Sequence, residues 1–410
     1  VGRRSFRFHP PLVEYGPALR WALLRAFGPV ELLESVEPPA LLPEDATATV
    51  ALALRLELAA RIAARHPRQR LTAELGEEGA AALARERTAA TAMGLQIAEV
   101  ARDVAEVASV AGLPIAFLKF MALEAAGYLA PGARSACDVD LLVPARAAES
   151  FWRALQTAGF SSPGQAGYEH QLPTLIGPRG GAVEIHRMIP GVRLAGRGSA
   201  TWEDLEKAGL LEPLPPQAGF PGACTIPAAE VLAAHAAVHG LGQHGFWPGS
   251  YPLFRMVADL IDLGGSGESD LGALTESAGH WIERDVPPAE VEALRALCRR
   301  LAAGETPGAG WDAPEETLLR HLVAGRLDAD YEAALRLALF RRQPSDRPAP
   351  LRLAGAIAST LWLSRPQIDA LYGKPRGPLG YAGRRLARPF DLLGRLAGYG
   401  WRALRSGSRG

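Results

Sequence analysis

Cysteine and lysine are both scarce in this chain of 410 residues. The three cysteines, Cys137, Cys224 and Cys298, lie far apart and share no CxxC spacing. That argues against a disulfide framework and a cysteine-based zinc site, and it fits a reducing compartment. Only Lys119, Lys207 and Lys374 are lysines among 44 basic residues. Such an arginine bias reflects a GC-rich coding sequence, so a lysine in a suggestive place comes from a small pool. Long apolar runs are missing as well. No stretch approaches the roughly 18 uninterrupted apolar residues of a spanning helix, and none is expected. Charge of one sign is absent, since 44 basic residues meet 44 acidic ones. A protein that coats nucleic acid over its whole surface does not look like this. Neither a Walker-type nor a dinucleotide glycine-rich fingerprint occurs, and no arrangement supports a serine or cysteine nucleophile. Val1 to Pro11 holds basic residues without an apolar centre, which does not read as a signal peptide. Because the chain begins at Val1, its true start stays open. A soluble, cytoplasmic protein is the expectation.

What is present is ordinary globular composition. Hydrophobic residues make up 48% and charged residues 21%, enough apolar surface to exclude disorder over most of the chain. Length alone predicts roughly two to three domains. Residues 1–105 read as a helical N-terminal region. Val50–His66 and Ala80–Ala111 carry apolar residues at spacings of three and four, and Gly76 with Gly79 marks a loop between them. The texture changes at Pro114. Pro114–Leu118 and Val139–Val143 read as buried strands, with a helix at Met121–Leu129 between them and an amphipathic helix at Ala145–Gly159 after them. Tyr168–Ile176 and Ala182–Ile189 read as a hairpin joined by Gly177-Pro178-Arg179-Gly180-Gly181. Strands mixed with helices predict a small α/β core over 106–215. Residues 216–372 return to helix, including Ala228–Gly240 and Phe254–Leu263, with breaks at Gly304–Gly310 and Gln343–Pro350. Residues 373–410 form a basic amphipathic tail with nine basic residues and one acid, so the tail carries +8 and the remainder −8.

The sharpest local feature is Asp138-Val139-Asp140 at the head of an apolar strand. Residues two apart in a strand point to one face, so both carboxylates project together. Two such charges repel, and a divalent metal relieves the conflict. Oxygen ligands from aspartate suit Mg²⁺, which takes further oxygens from substrate phosphates. An Asp-x-Asp pair alone is also common at exposed strand ends. Glu184 adds weight, because Val183-Glu184-Ile185 puts an acid between apolar neighbours inside a strand. If that strand lies beside the first, three carboxylates converge. They would form the ligand set for two metals about 4 Å apart.

The run Phe117-Leu118-Lys119, then Arg134, then Asp138-Val139-Asp140-Leu141-Leu142-Val143, then Val183-Glu184-Ile185-His186 resembles the uncharacterised nucleotidyltransferase family of the DNA polymerase beta superfamily. The likeness extends to His170 in the hairpin, to His235 and His239, and to Arg255 and Asp259. It spans about residues 50–265, roughly two-thirds of the chain. The resemblance implies an α+β class, with a polymerase-beta-like core of small mixed sheet and helices flanked by mainly helical regions. It implies that Asp138, Asp140 and Glu184 are catalytic and hold Mg²⁺ or Mn²⁺. Lys119, Phe120, Arg134 and His186 would line the nucleotide site, with Lys119 meeting phosphate as a point charge. An NTP would be the substrate. The acceptor stays open among a protein, an RNA and a small molecule.

One position departs from the family pattern. Relatives carry glycine after the lysine, where backbone N–H groups approach phosphate and an unusual φ is allowed. Phe120 stands there instead, which predicts weakened triphosphate binding. Two readings follow. One is a metal-dependent transfer of an NMP from an NTP to a hydroxyl acceptor. The alternative is a catalytically degenerate module that binds a nucleotide or a partner.

Other candidates have plainer readings beside them. His235 and His239 share a helix face, but no glutamate follows His235, so packing or hydrogen bonding is the simpler role. His186 faces the same side as Glu184 and would donate to a carboxylate or phosphate. His244, in a glycine-rich loop with Trp247, would line the cleft. Arg255 and Asp259 form an i, i+4 pair that reads as an exposed helix pair unless the resemblance applies. The tail mixes arginine with large apolar residues. It would suit an anionic membrane surface or RNA phosphates, or pack as a solvated basic helix.

Overall fold

Alanine, leucine and arginine dominate the N-terminal stretch, and the chain there is helical. The computed structural model describes residues 15–29, 43–162, 170–194, 199–215, 218–221, 224–243, 253–265, 268–280, 286, 288–307, 311–327 and 377–407. Among the described residues four helices come first: α1 Pro17–Phe27, α2 Pro43–Arg55, α3 Ala59–Arg65 and α4 Arg68–Val110. Val50–His66 is therefore not one helix. A tight turn at Leu56 to Leu58 splits it, with Glu57 at φ 58. The loop expected at Gly76 and Gly79 shrinks to a kink inside α4, where Gly76 takes φ 74 and ψ 170. A side chain at that φ would be strained, so glycine makes the sharp kink that joins the two helical stretches.

These helices are tied together by buried polar groups as well as by apolar packing. His66, 5% exposed, donates from Nε2 to the Arg25 carbonyl at 2.9 Å. Burial holds its imidazole down at about 4, against an ordinary 6.5, and Arg25 and Arg65 push the same way. A depressed histidine contributes stability above its unfolded value and loses it as pH falls through the folded one. Stability is therefore expected to drop between pH 6.5 and about 4. A His66→Gln protein keeps an N–H for the carbonyl but does not titrate. Its urea midpoint should vary less with pH across that window, and equal slopes for the two proteins would refute this account.

Short apolar runs then build one six-stranded sheet from β1 Ile115–Phe117, β2 Asp138–Leu142, β3 Leu175–Ile176, β4 Ala182–His186, β7 Leu211–Pro213 and β8 Cys224–Pro227. Its order is β3-β4-β2-β1-β8-β7. β2 runs parallel to β4 and β1 parallel to β8, while the other neighbours are antiparallel, so the sheet is mixed. A separate pair, β5 Met188–Arg193 with β6 Ser199–Thr201, follows directly. The strand expected over Ala182–Ile189 is thus divided between two sheets at Arg187. The expected hairpin exists, but β3 keeps only Leu175 and Ile176 as strand. Tyr168 lies outside the described residues.

Helices α5 Lys119–Ala125, α6 Ala148–Thr157 and α7 Trp202–Ala208 connect strands, and α8 Ala229–Val238 follows the last one. Thr201 caps α7 through a reciprocal capping box with Asp204. The C-terminal part continues with α9 Leu253–Gly264, α10 Glu268–His280, α11 Pro288–Ala302, α12 Ala313–Leu327 and α13 Gly377–Gly407. The break expected at Gln343–Pro350 lies outside the described residues. One apolar cluster runs from Leu19 in α1 to Ala324 in α12 and takes in the inner residues of the sheet. All three cysteines are free thiols. No described helix is long and apolar enough to cross a membrane.

Gly191 shows how tightly the second sheet sits on α8. It takes φ +77, and a Cβ there would lie 2.2 Å from Val238 Cγ1. A β-branched side chain cannot swing away. Gly191→Ala is expected to destabilise the protein by about 2–4 kcal/mol. A chemical melt that places the variant within error of the parent would contradict the packing described here.

Candidate active site

Register brings the acidic residues together. β2 and β4 pair in parallel with Asp140 opposite Glu184 and Leu142 opposite His186. Strand alternation then sends Asp138, Asp140, Glu184 and His186 to one face, while Val139, Leu141, Val183 and Ile185 are buried on the other. β1 delivers the cation. It lies beside β2, and the Leu118 N–H donates to the Asp140 carbonyl at 2.9 Å. The next residue, Lys119, takes φ 47, a left-handed conformation rare outside glycine. Its ammonium lies 2.7 Å from Asp140 Oδ1. His186 Nε2 donates to the same oxygen at 2.9 Å and lies 3.8 Å from Glu184 Oε2. Asp140 itself is 2% exposed.

The charges in this pocket are out of balance. Burial alone would lift the Asp140 carboxyl, but Lys119 and then His186 outweigh it and hold the group well below the carboxylate range. Lys119 mirrors this. Burial would lower its ammonium, yet Asp140, Asp138 and Glu184 together keep it above its ordinary value. The remaining acids show the surplus. Burial and then Asp140 raise Asp138, and the same two causes raise Glu184 to about 7. Three carboxylates around one ammonium leave net negative charge that burial makes expensive.

The donor set fits a divalent cation. Asp140, Glu184 and His186 offer ligand atoms that all lie within 4.8 Å of one another. This set differs from the all-carboxylate one expected, because the compact group contains His186 and leaves out Asp138. An imidazole beside two carboxylates suits Mn²⁺ as well as the harder Mg²⁺. Nε2 serves either as the donor to Asp140 or as a metal ligand, not both at once.

The other candidates fall into two groups around this centre. His170 stacks on His186 with ring centroids 5.9 Å apart, and burial holds it down at about 4. Beside Lys119, which lines it, a cavity of about 20 Å³ is walled by His235, His239, Asp259 and apolar residues of α5, α8 and α9. That volume suits a single water. Burial holds His235 down at about 3, which makes it a neutral, packed imidazole. Arg255 sits farther out, with Ser135 at 3.2 Å and Glu57 at 3.6 Å. His244 lies outside the described residues.

Two expectations are corrected by the geometry. Asp259 is not part of an exposed helix pair. It is buried, and both its oxygens lie 2.8 Å from Arg134 Nη1, across 125 residues of sequence. The turn after β1 does not need glycine at position 120 either. The left-handed φ falls on Lys119, and Phe120 lies within α5 without a positive φ. The Phe120 ring is buried, with Arg134 over its face at 5.7 Å and Gly94 of α4 beside it. Its bulk is absorbed by packing between α4 and α5. Sequence reasoning missed Gln171, whose side chain hydrogen-bonds Glu184 from the strand-like segment beside β4. Nothing marks that glutamine in the sequence except its place next to His170.

These features define an α+β protein with a small mixed sheet that carries converging acids, a lysine and a histidine on one face. The family described as uncharacterised nucleotidyltransferase matches residues 43–275, more than half of the chain, and the chain belongs to that family. Neither curated proteins nor solved structures yield a match.

Proposed function

We propose that the protein transfers a nucleoside monophosphate from an NTP to a hydroxyl-bearing acceptor, releasing pyrophosphate. The observation that carries this reading is the Asp140–Glu184 register pair, with Lys119 in ion-pair contact and a surplus of negative charge. Asp138, Asp140, Glu184 and His186 would hold Mg²⁺ or Mn²⁺. Such an ion supplies charge neutralisation at the phosphates and acidity at the attacking oxygen. The chain's own groups do the rest. Lys119 meets phosphate oxygen as a fixed positive charge. Glu184, directly opposite Asp140 in the β2–β4 register, would orient the acceptor hydroxyl and take its proton. The acceptor oxygen then bonds to the α-phosphorus as the bond to pyrophosphate breaks. Asp138 and Asp140 hold the reacting groups in line, and positioning does most of the work.

A test is label transfer from each α-phosphate-labelled NTP in a lysate of the host, with Mg²⁺ or Mn²⁺. Label in a protein, RNA or small-molecule fraction names the acceptor class. A chelator should abolish it, and label that persists with chelator present would remove the metal from the proposal. A second reading has an observation of its own. Asp140 already receives both the Lys119 ammonium and the His186 N–H on one oxygen. That arrangement also suits a module that binds a nucleotide or partner without turnover. Nucleotide binding with no label transferred, in a folded sample, would decide for it.

A further inference from the structure

Helix α13, Gly377–Gly407, turns its apolar stripe outward. Leu379, Leu386, Phe390 and Leu393 follow one another at spacings of seven, four and three, so they share a face. They are 88%, 72%, 76% and 62% exposed. Tyr381, Arg385 and Arg388 lie on the other side and are partly or fully shielded, Arg388 at 7%. Among its described side chains the helix thus shields Arg385 and Arg388, leaves Arg384 exposed and displays leucine and phenylalanine, the reverse of a surface helix that serves a core. It also carries six arginines against the single acid Asp391.

We propose that α13 docks on an anionic lipid surface, with Leu386, Phe390 and Leu393 entering the boundary between headgroups and acyl chains. Charge complementarity selects this occupant. Residues 373–410 carry +8 on a chain that is otherwise −8, and juxtamembrane basic segments are drawn to anionic leaflets. Composition agrees. Seven glycines and Pro389 make α13 a poor helix by itself, at about 1 kcal/mol for each glycine, so covering the stripe would add stabilisation to what its shielded side supplies. A second copy fits less well, because two helices with this arginine excess repel and offer no complementary acids. RNA would use the charge but leaves a leucine stripe without a role. No described helix is able to span, so docking would be along the surface.

The test uses the full chain with sedimenting vesicles of phosphatidylcholine alone or mixed with phosphatidylglycerol. Binding should be at least about tenfold stronger to the anionic vesicles and should weaken with salt. Leu386→Glu with Phe390→Glu should weaken it by about a hundredfold while circular dichroism and melting stay unchanged. Leu386→Ser with Phe390→Ser repeats the test without new charge. Equal binding to both vesicles, no binding to either, or undiminished binding by both variants would overturn the proposal. So would preferential retention on single-stranded RNA, or a dimer in light scattering that the variants dissolve.

Discussion

Asp140→Asn is expected to reduce nucleotidyl transfer by at least about a thousandfold. The side chain is 2% exposed and holds the Lys119 ammonium and the His186 N–H on one oxygen. Asparagine keeps the shape but removes the charge to which Lys119, Asp138 and Glu184 respond. Lys119 loses its nearest counter-charge, so its position at the phosphate site loosens. Glu184 and Asp138 change in the opposite sense, because Asp140 is, after burial, the main reason both are raised. Their carboxyls should move back toward ordinary values in the metal-free protein, a change that titration of the free protein would read. That shift separates a lost charge from a lost fold, which a melting curve would also report. Transfer at the parental rate by a folded Asp140→Asn protein would sink the proposed function. Asp138→Asn should retain more stability, since Asp138 is less enclosed than Asp140.

Much of this centre was legible because it rests on local rules. Two aspartates two apart on an apolar strand must share a face, and an acid between Val183 and Ile185 must face away from the core. Sequence could not say that Asp140 and Glu184 are direct partners, since parallel register is set by the whole sheet. It could not place His186 inside the compact ligand group, because that depends on the same register. Helix identity was readable in the N-terminal region, but boundaries were not. Leu56 to Leu58 contain no proline or glycine, yet the chain turns there to let α2 and α3 each pack against α4. Gly76 misled in the other direction, because a glycine that permits a kink looks the same as one that ends a helix. Phe120 was judged by the chemistry of the position before it. The strained φ belongs to Lys119, and the phenyl ring answers to Gly94 and Arg134, which are distant in sequence.

Asp259→Ala is expected to destabilise the protein by about 3–5 kcal/mol, the loss usual for breaking a buried ion pair from one side. The Arg134 and Asp259 side chains are 9% and 4% exposed, and their removal from water is nearly complete. Burial pushes the Asp259 carboxyl up to about 6 even though Arg134 and Arg255 pull it down. The pair is therefore held at a desolvation cost that its own attraction does not fully offset. Removing one partner leaves the other charged and enclosed, with the Phe120 ring under the Arg134 guanidinium. Replacing both with apolar residues of similar size removes the cost along with the attraction. Arg134→Met with Asp259→Leu should accordingly recover stability to within about 1–2 kcal/mol of the parent. A double variant as unstable as Asp259→Ala would show that the pair contributes more than charge balance. The same double variant separates stability from substrate binding. Arg134 also lowers the Asp138 carboxyl, so its loss leaves the acid face with less positive charge nearby. If Arg134 meets nucleotide phosphate, the folded double variant should show KM for the NTP raised about tenfold or more with kcat less affected. An unchanged KM in a stable double variant would assign Arg134 to the fold alone, as the anchor that joins α9 to the segment before β2.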